Sequence, residues 1–175
     1  MSDSRIEGYA RGLFEIARAE GTIDEVEDEL FRFARLYESN EEMRNALSDE
    51  QIPASKRQAI VEDLLGGKVT PTTTQLISMV VGAGRARDLP AIVDKLVARA
   101  SAAKNLEVAE VRTAVSLTPD QETRLAAALA NSTGKEVNLK VVVDPSVLGG
   151  IVATVGDVVI DGSVRTRIEQ LKSRL

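Results

Sequence analysis

The sequence predicts an α+β protein, with an N-terminal six-helix bundle followed by a small C-terminal α/β domain of strands with two helices. Apolar residues recur at helical spacing from residue 4 to residue 104, and the pattern then changes to the β-branched runs typical of strands. Aromatic residues make up only 3% of the chain, so its core must consist of Leu, Ile, Val and Ala, as in packed helices. We therefore expect two domains, 1–104 and 105–175.

Three helices are predicted in the first 50 residues. The first has apolar residues at i, i+3, i+4 and i+7 and a capping box that opens at Ser4. Gly21 ends this helix, and capping boxes at Thr22 and Ser39 open a second helix and a shorter third one.

Three further helices are predicted before residue 105. Pro53, in a first-turn position, starts the fourth helix, which a Gly-Gly pair beginning at Gly66 stops. Thr70 followed by proline starts the fifth, which ends at Gly82. The sixth reaches Lys104, and the short connections between all six are typical of a helical bundle.

The C-terminal region reads as strand, helix, two strands or a hairpin, and helix. β-branched residues around 106–115 predict a strand, and a capping box from Thr118 to Gln121 opens a helix that reaches about Ala130. Further strands are predicted at 137–143, 151–155 and 158–160, and a final helix at 164–175. A unit this small has a marginal core, so we expect it to depend on a partner.

The composition excludes several classes of enzyme. The chain has no cysteine and no histidine. Thiol catalysis, Ser-His-Asp triads and cysteine or imidazole metal sites are therefore unavailable. The net charge of −5 and the few aromatic residues argue against nucleic-acid binding. We expect no catalytic residue, no cofactor and no bound metal.

The N-terminus shows no signal-peptide pattern, and uncharged apolar stretches fall short of the roughly 20 residues that span a bilayer. We expect a protein without direct membrane insertion that faces the cytoplasm, where it could still lie on a membrane complex.

Three carboxylates leave an enzymatic alternative open. Asp144, Asp157 and Asp161 could form a divalent-metal site for a metal-dependent hydrolase, although each lies beside a turn residue, where aspartate is favoured for local hydrogen bonding. A free-standing helical adaptor is a second alternative. The first helix also carries Gly8 and Gly12, each costing about 1 kcal/mol relative to alanine. Either close approach of a partner helix or a chance surface glycine would explain them.

Two segments resemble the delta subunit of bacterial F-type ATP synthases, the counterpart of the mitochondrial oligomycin-sensitivity-conferring protein. Residues 9–17, YARGLFEIA, are similar to the opening signature of that family. Residues 144–165 are similar to its closing signature through DPS, GG, GD and IDGSVR, and this second motif is the more specific one. The resemblance covers essentially the whole chain.

The resemblance implies a non-catalytic stator subunit, one copy per complex, at the cytoplasmic face of the bacterial cell membrane. It implies that residues 1–104 bind the N-terminal helix of an alpha subunit of the catalytic head in a groove between the first and fifth helices. The groove residues are then Tyr9, Gly12, Leu13, Leu76, Met79 and Val80. It implies that residues 105–175 receive the peripheral-stalk b subunits, through contacts expected at Arg165, Arg167, Ile168, Leu171 and Lys172.

Overall fold

The computed structural model describes residues 2–162. Over this range the protein combines seven α-helices with a four-stranded sheet, so the α+β class is as predicted. The chain divides into two compact units, Met1–Ala100 and Ser101–Leu175. The final helix expected at 164–175 lies outside the described residues.

The first unit is helical because its apolar residues form stripes that bury together. Leu13, Leu30, Ile77 and Leu96, on four different helices, are among the most deeply buried side chains. Burial of each such side chain contributes roughly 1.5–3 kcal/mol. The helices, the sixth preceded by a 3-10 turn at Ala86–Asp88, are α1 Ser2–Ala19, α2 Ile23–Ser39, α3 Glu41–Ser48, α4 Ala54–Leu65, α5 Pro71–Gly82 and α6 Leu89–Ala103.

The starts of two helices differ from the sequence prediction. Helix α1 begins at Ser2, so Ser4 lies inside it rather than at its cap. Helix α3 is capped by Asn40, whose side-chain oxygen accepts a hydrogen bond from the Met43 N–H at 2.9 Å. Ser39 does not cap α3 because it still belongs to α2, where its hydroxyl donates to a carbonyl of the preceding turn.

The predicted starts of two further helices, α2 and α4, are confirmed in part. Thr22 is the N-cap residue of α2, but its side chain makes no capping hydrogen bond. Pro53 is the N-cap residue of α4 and lies just before its first turn.

The second unit is a sheet with one helix packed against it. Strand β1 (Glu107–Thr113) pairs in parallel with β2 (Val137–Val143), and helix α7 (Pro119–Thr133) makes the crossover between them. On its other side β1 pairs antiparallel with β3 (Ile151–Val155), which forms a hairpin with β4 (Val158–Asp161). The strand order is therefore β2-β1-β3-β4.

The core of the second unit lies on the face of the sheet that α7 covers. Ala109, Val111, Ala153 and Val155 alternate along β1 and β3 and pack with Leu129 of α7. The predicted capping box at the start of α7 is confirmed, with reciprocal bonds between Thr118 and Gln121. The strands at 137–143 and 151–155 also have their predicted bounds.

Candidate partner-binding groove on the helical unit

A shallow groove follows one face of α1 and is bordered by Met79 of α5. We call it the α1/α5 groove. Its volume is about 330 Å³, and it is lined by Arg5, Gly8, Tyr9, Gly12, Leu13, Ile16 and Met79. The lining residues of α1 recur at intervals of three and four, so they form a single stripe along the helix.

The two glycines of α1 create the open space in this stripe. Among residues 2–162, a Cβ atom at Gly8 or Gly12 would meet nothing within 4 Å, so packing in this part of the chain does not require glycine at either position. Glycine in a helix interior nevertheless costs roughly 1 kcal/mol relative to alanine. At these two positions the surface of α1 carries no side chain, so the backbone of another helix could approach it closely.

The groove presents apolar side chains to solvent. Ile16 is 39% exposed and Met79 is 42% exposed. Tyr9, which lines the same groove, is half-buried. Contiguous exposed apolar surface of this kind marks interaction sites more often than isolated exposed residues do. With its few polar groups, the groove can bind an apolar helix face but offers no chemistry for catalysis.

The structure separates the predicted groove residues into two groups. Tyr9, Gly12, Leu13 and Met79 line the α1/α5 groove. Leu76 and Val80 do not line it, and their side chains, only 2% and 0% exposed, belong to the core. They lie on the buried side of α5 and not on its accessible surface.

Three lining residues were absent from the predicted groove residues, although Gly8 had been noted as a position where a partner helix could approach. Ile16 lies four residues after Gly12 and seven after Tyr9, so the helical spacing itself could have placed it on the same stripe. Arg5 and Gly8 extend the stripe toward the N-terminus of α1. Exposure of Ile16 carried no signal in the sequence, since isoleucine at that spacing is also typical of a core position.

The position of α5 is fixed by a carboxylate from α2. The Thr70 N–H donates to both carboxylate oxygens of Glu29, at 3.1 and 3.0 Å, and the Thr70 hydroxyl donates to Glu29 at 2.8 Å. The Thr73 hydroxyl donates to the same carboxylate. The positive N-terminal end of the α5 dipole also favours the negative charge of the Glu29 carboxylate. Glu29 therefore anchors the N-terminal end of α5, the helix that carries Met79.

Helix α1 is held by contacts near both of its ends. Near its C-terminus, Glu20 accepts a hydrogen bond from the Thr72 hydroxyl in the first turn of α5, so α1 and α5 run antiparallel along the groove. Near its N-terminus, Glu7 pairs with Arg99 of α6, and Asp3 lies 3.9 Å from Lys95. These ion pairs are partly exposed, so each contributes modestly to stability.

The expected stalk contacts lie outside the described residues. Arg165, Arg167, Ile168, Leu171 and Lys172 all fall after residue 162.

The three aspartates of the enzymatic alternative do not form a cluster. Asp144 follows β2 at the end of the sheet where β3 begins, whereas Asp157 lies in the turn after β3, roughly 13 Å away along a five-residue strand. Asp161 lies on β4, three strands from β2, a lateral distance of about 14 Å. The described part of the chain contains no group of three acidic residues that could hold a metal ion. The hydrolase hypothesis is therefore not supported.

Asp144 instead stabilises a turn. Its carboxylate accepts hydrogen bonds from the Ser146 hydroxyl at 2.6 Å and the Ser146 N–H at 2.9 Å, and Arg112 lies 3.2 Å away. These hydrogen bonds, with a smaller contribution from Arg112, lower the pKa of Asp144 below its ordinary value. Asp157 lies beside Gly156, whose positive φ of 57° opens the hairpin turn.

Within residues 2–162, the helices are either too short or too polar to cross a bilayer.

The family model for the ATP synthase delta (OSCP) subunit matches residues 6–175. The chain belongs to this family. Delta-subunit relatives extend the match across the whole chain. The chain is 44% identical over 175 residues to the ATP synthase subunit delta of Nocardia farcinica, which covers all of this chain and 65% of the relative.

Two other relatives differ in length. The chain is 43% identical over 159 residues to the ATP synthase subunit delta of Streptomyces avermitilis, covering 91% of this chain and 58% of the relative. It is 34% identical over 167 residues to that of Desulforudis audaxviator, covering 95% and 92%. The chain thus spans less than two thirds of the Nocardia and Streptomyces proteins and nearly all of the Desulforudis one.

A solved structure shares the fold of this delta-family chain. A chain in the cryo-EM structure of the Toxoplasma gondii mitochondrial ATP synthase hexamer aligns with a TM-score of 0.57 and 21% identity. The alignment covers 97% of this chain and 96% of that chain. Membership of the delta family replaces the hypothesis of an unrelated helical adaptor.

Proposed function

We propose that this protein is a non-catalytic stator subunit of a proton-translocating F-type ATP synthase. In this role it joins the alpha subunits of the catalytic head to the b subunits of the peripheral stalk, so that the head does not turn with the rotor. The observation that carries the proposal is the delta-subunit family match over residues 6–175. The absence of cysteine and histidine from the sequence fits a subunit that performs no chemistry.

The α1/α5 groove is the proposed attachment point for the head. The partner is the N-terminal helix of an alpha subunit, whose apolar face would pack against Tyr9, Gly12, Ile16 and Met79. Helices that bind in grooves use apolar anchors at such spacings, and the glycines allow the two backbones to approach. The six helices of residues 1–104 would form the bundle that presents this groove.

The proposed attachment point for the stalk lies in residues 105–175. Its sheet exposes apolar side chains on β4, with Val158 55% exposed and Val159 64% exposed. The basic segment from Arg165 to Lys172 would contribute charge to the same contact. One copy of the protein would then lie at the cytoplasmic face of the membrane, held there by its partners.

Reconstitution tests this assignment. ATP synthase stripped of this subunit is placed in vesicles and supplied with the whole chain or with a chain that ends at Asn105, which retains all of α6. We expect the whole chain to restore ATP synthesis driven by a proton gradient. The truncated chain should co-purify with the head but fail to restore synthesis, while ATP hydrolysis persists in both samples.

Circular dichroism of the truncated chain verifies that its helices remain folded. Full synthesis with the truncated chain would contradict the role of residues 105–175 as the mechanical link. Loss of hydrolysis in the stripped enzyme, restored by the whole chain, would contradict the non-catalytic assignment.

A further inference from the structure

The α1/α5 groove has a positive charge at one of its ends. Among the described residues that line it, Arg5 is the one that carries a charge, and its side chain is exposed. Within residues 2–162 no carboxylate pairs with it. Its acidic neighbours on α1 pair with α6 instead, Asp3 with Lys95 at 3.9 Å and Glu7 with Arg99. A partner that covers this end of the groove therefore meets an uncompensated positive charge.

The other end of the groove is bounded by a negative charge. Glu20 follows Ile16 by four residues, so it continues the stripe of groove residues just beyond the end of α1. Its carboxylate accepts a hydrogen bond from the Thr72 hydroxyl, which is neutral and leaves the negative charge in place. The distance from Arg5 to Glu20 along the helix axis is about 22 Å. The groove is therefore positive at one end and negative at the other.

The dipoles of the two flanking helices do not cancel this polarity. Helix α5 begins at the same end as Glu20, where its N-terminus contributes partial positive charge. That N-terminus already holds the Glu29 carboxylate, which accepts hydrogen bonds from Thr70 and Thr73. The dipole of α1 acts in the same sense as the two charges, since its positive end is the end that carries Arg5.

A helix that binds along this groove has charged ends of its own. Its N-terminus carries about half a positive charge, and its C-terminus carries about half a negative charge. The last four carbonyl groups of a helix also lack partners within the helix, and an arginine side chain can donate to them. Gly8, one turn after Arg5, has no side chain, so the partner backbone can come within reach of the Arg5 guanidinium.

We propose that the helix bound in the α1/α5 groove runs antiparallel to α1, with its last turn against Arg5, and that Arg5 selects this direction. In the opposite direction, the positive end of the partner helix would face Arg5 and its negative end would face Glu20, so both contacts would be repulsive. The inference rests on the proposed function, because it takes the N-terminal helix of an alpha subunit as the occupant.

The direction of the bound helix can be measured because the chain has no cysteine. A spin label on Ser4→Cys or on Ala19→Cys then marks one end of α1 or the other, and both residues are exposed. The probe is an isotope-labelled peptide that contains the N-terminal helix of the cognate alpha subunit, bound to the full chain. The label at residue 4 should broaden the NMR signals of the C-terminal half of the peptide, and the label at residue 19 those of its N-terminal half.

Arg5→Glu tests the residue that selects the direction. Isothermal titration calorimetry with the same peptide should show binding about fivefold weaker, since the reversal removes an attraction and adds a repulsion at the end of the helix. A carboxylate near the N-terminus of α1 also suits the dipole of α1, so the variant should stay folded, which circular dichroism verifies. Arg11→Glu is the matched control. Arg11 is exposed on the same helix, outside the groove stripe, and its reversal should change the affinity by less than about twofold.

The reverse pattern of broadening, or equal broadening from both labels, would overturn the proposed direction. Equal effects of the two charge reversals would overturn the role of Arg5. The proposed function stands in either case, since the peptide binds. Failure of the peptide to bind the unsubstituted protein would overturn the proposed function, and the inference with it.

Discussion

Gly12→Arg should separate binding to the alpha subunit from folding of the helical unit. Gly12 lies at the centre of the α1/α5 groove, is exposed, and would accept a Cβ atom without contact within 4 Å. An arginine there extends a charged side chain across the surface against which the partner helix would pack. The substitution therefore changes the groove without changing the core.

The expected effects on folding and on binding have opposite signs. Replacement of a helix-interior glycine by a good helix former raises the free energy of unfolding by up to about 1 kcal/mol. For a unit of this size, 1 kcal/mol corresponds to a rise in Tm of roughly 4–8 °C, which is the largest rise we expect. Binding should weaken by at least about 1.4 kcal/mol, a factor of ten, because an unpaired charge would be buried in an apolar contact.

The assay is calorimetric titration of a synthetic peptide that contains the N-terminal helix of the cognate alpha subunit, with thermal unfolding of the protein followed in parallel. Ser4→Arg is the control, since Ser4 is exposed on the same helix, lies outside the stripe of groove residues and does not line the groove, and it adds the same charge. We expect unchanged affinity for Ser4→Arg. Unchanged affinity for Gly12→Arg would remove Gly12 from the contact, and a large fall in Tm would show that its role is in folding.

Three other outcomes are expected. Glu29→Gln should lower the free energy of unfolding in urea by about 1–2 kcal/mol, since it weakens the anchor of α5, while Glu25→Gln on the same helix should change it by less than about 0.5 kcal/mol; equal effects would contradict the anchoring role. The lowered pKa of Asp144 implies stabilisation that is complete above its ordinary value of 3.8 and lost as the pH falls through the folded-state value. Asp144→Asn should therefore be less stable than the unsubstituted protein at neutral pH, and its free energy of unfolding should fall less between about pH 5 and pH 3. If the two proteins gave identical urea-unfolding curves at neutral pH and at about pH 3, this expectation would be refuted. Limited trypsin digestion should cut first at Lys104, and a first cut within residues 20–90 would contradict two separable domains.

Local signals in the sequence predicted local structure well. Thr118 and Thr70, each followed by proline, were recognised as helix starts because cap and first turn lie within four residues. The strands at 137–143 and 151–155 were recognised because β-branched runs end at turn residues. Errors arose where neighbouring elements compete for a residue, as at Ser39, which belongs to α2 although its type suits the cap of α3.

Features that depend on distant contacts could not be predicted. Glu29 anchors a helix that begins more than forty residues later, and nothing in its own surroundings indicates this. The separation of Asp144 from Asp161 depends on the strand order, which places their strands at opposite edges of the sheet. The partition of α5 into buried Leu76 and exposed Met79 likewise required the packing of the other helices.

The position of β1 in the middle of the sheet has a consequence for synthesis on the ribosome. Glu107 of β1 pairs with Val137, and Ala109 pairs with Val155, so this strand leaves the ribosome well before either neighbour exists. Non-local pairing of this kind is slow compared with helix formation. Helices α1 to α6 are complete by residue 103, so the groove that would capture the alpha subunit can form on a nascent chain whose sheet is still unpaired. Early capture of the partner would then hold the chain at its site of assembly while the last strands are added.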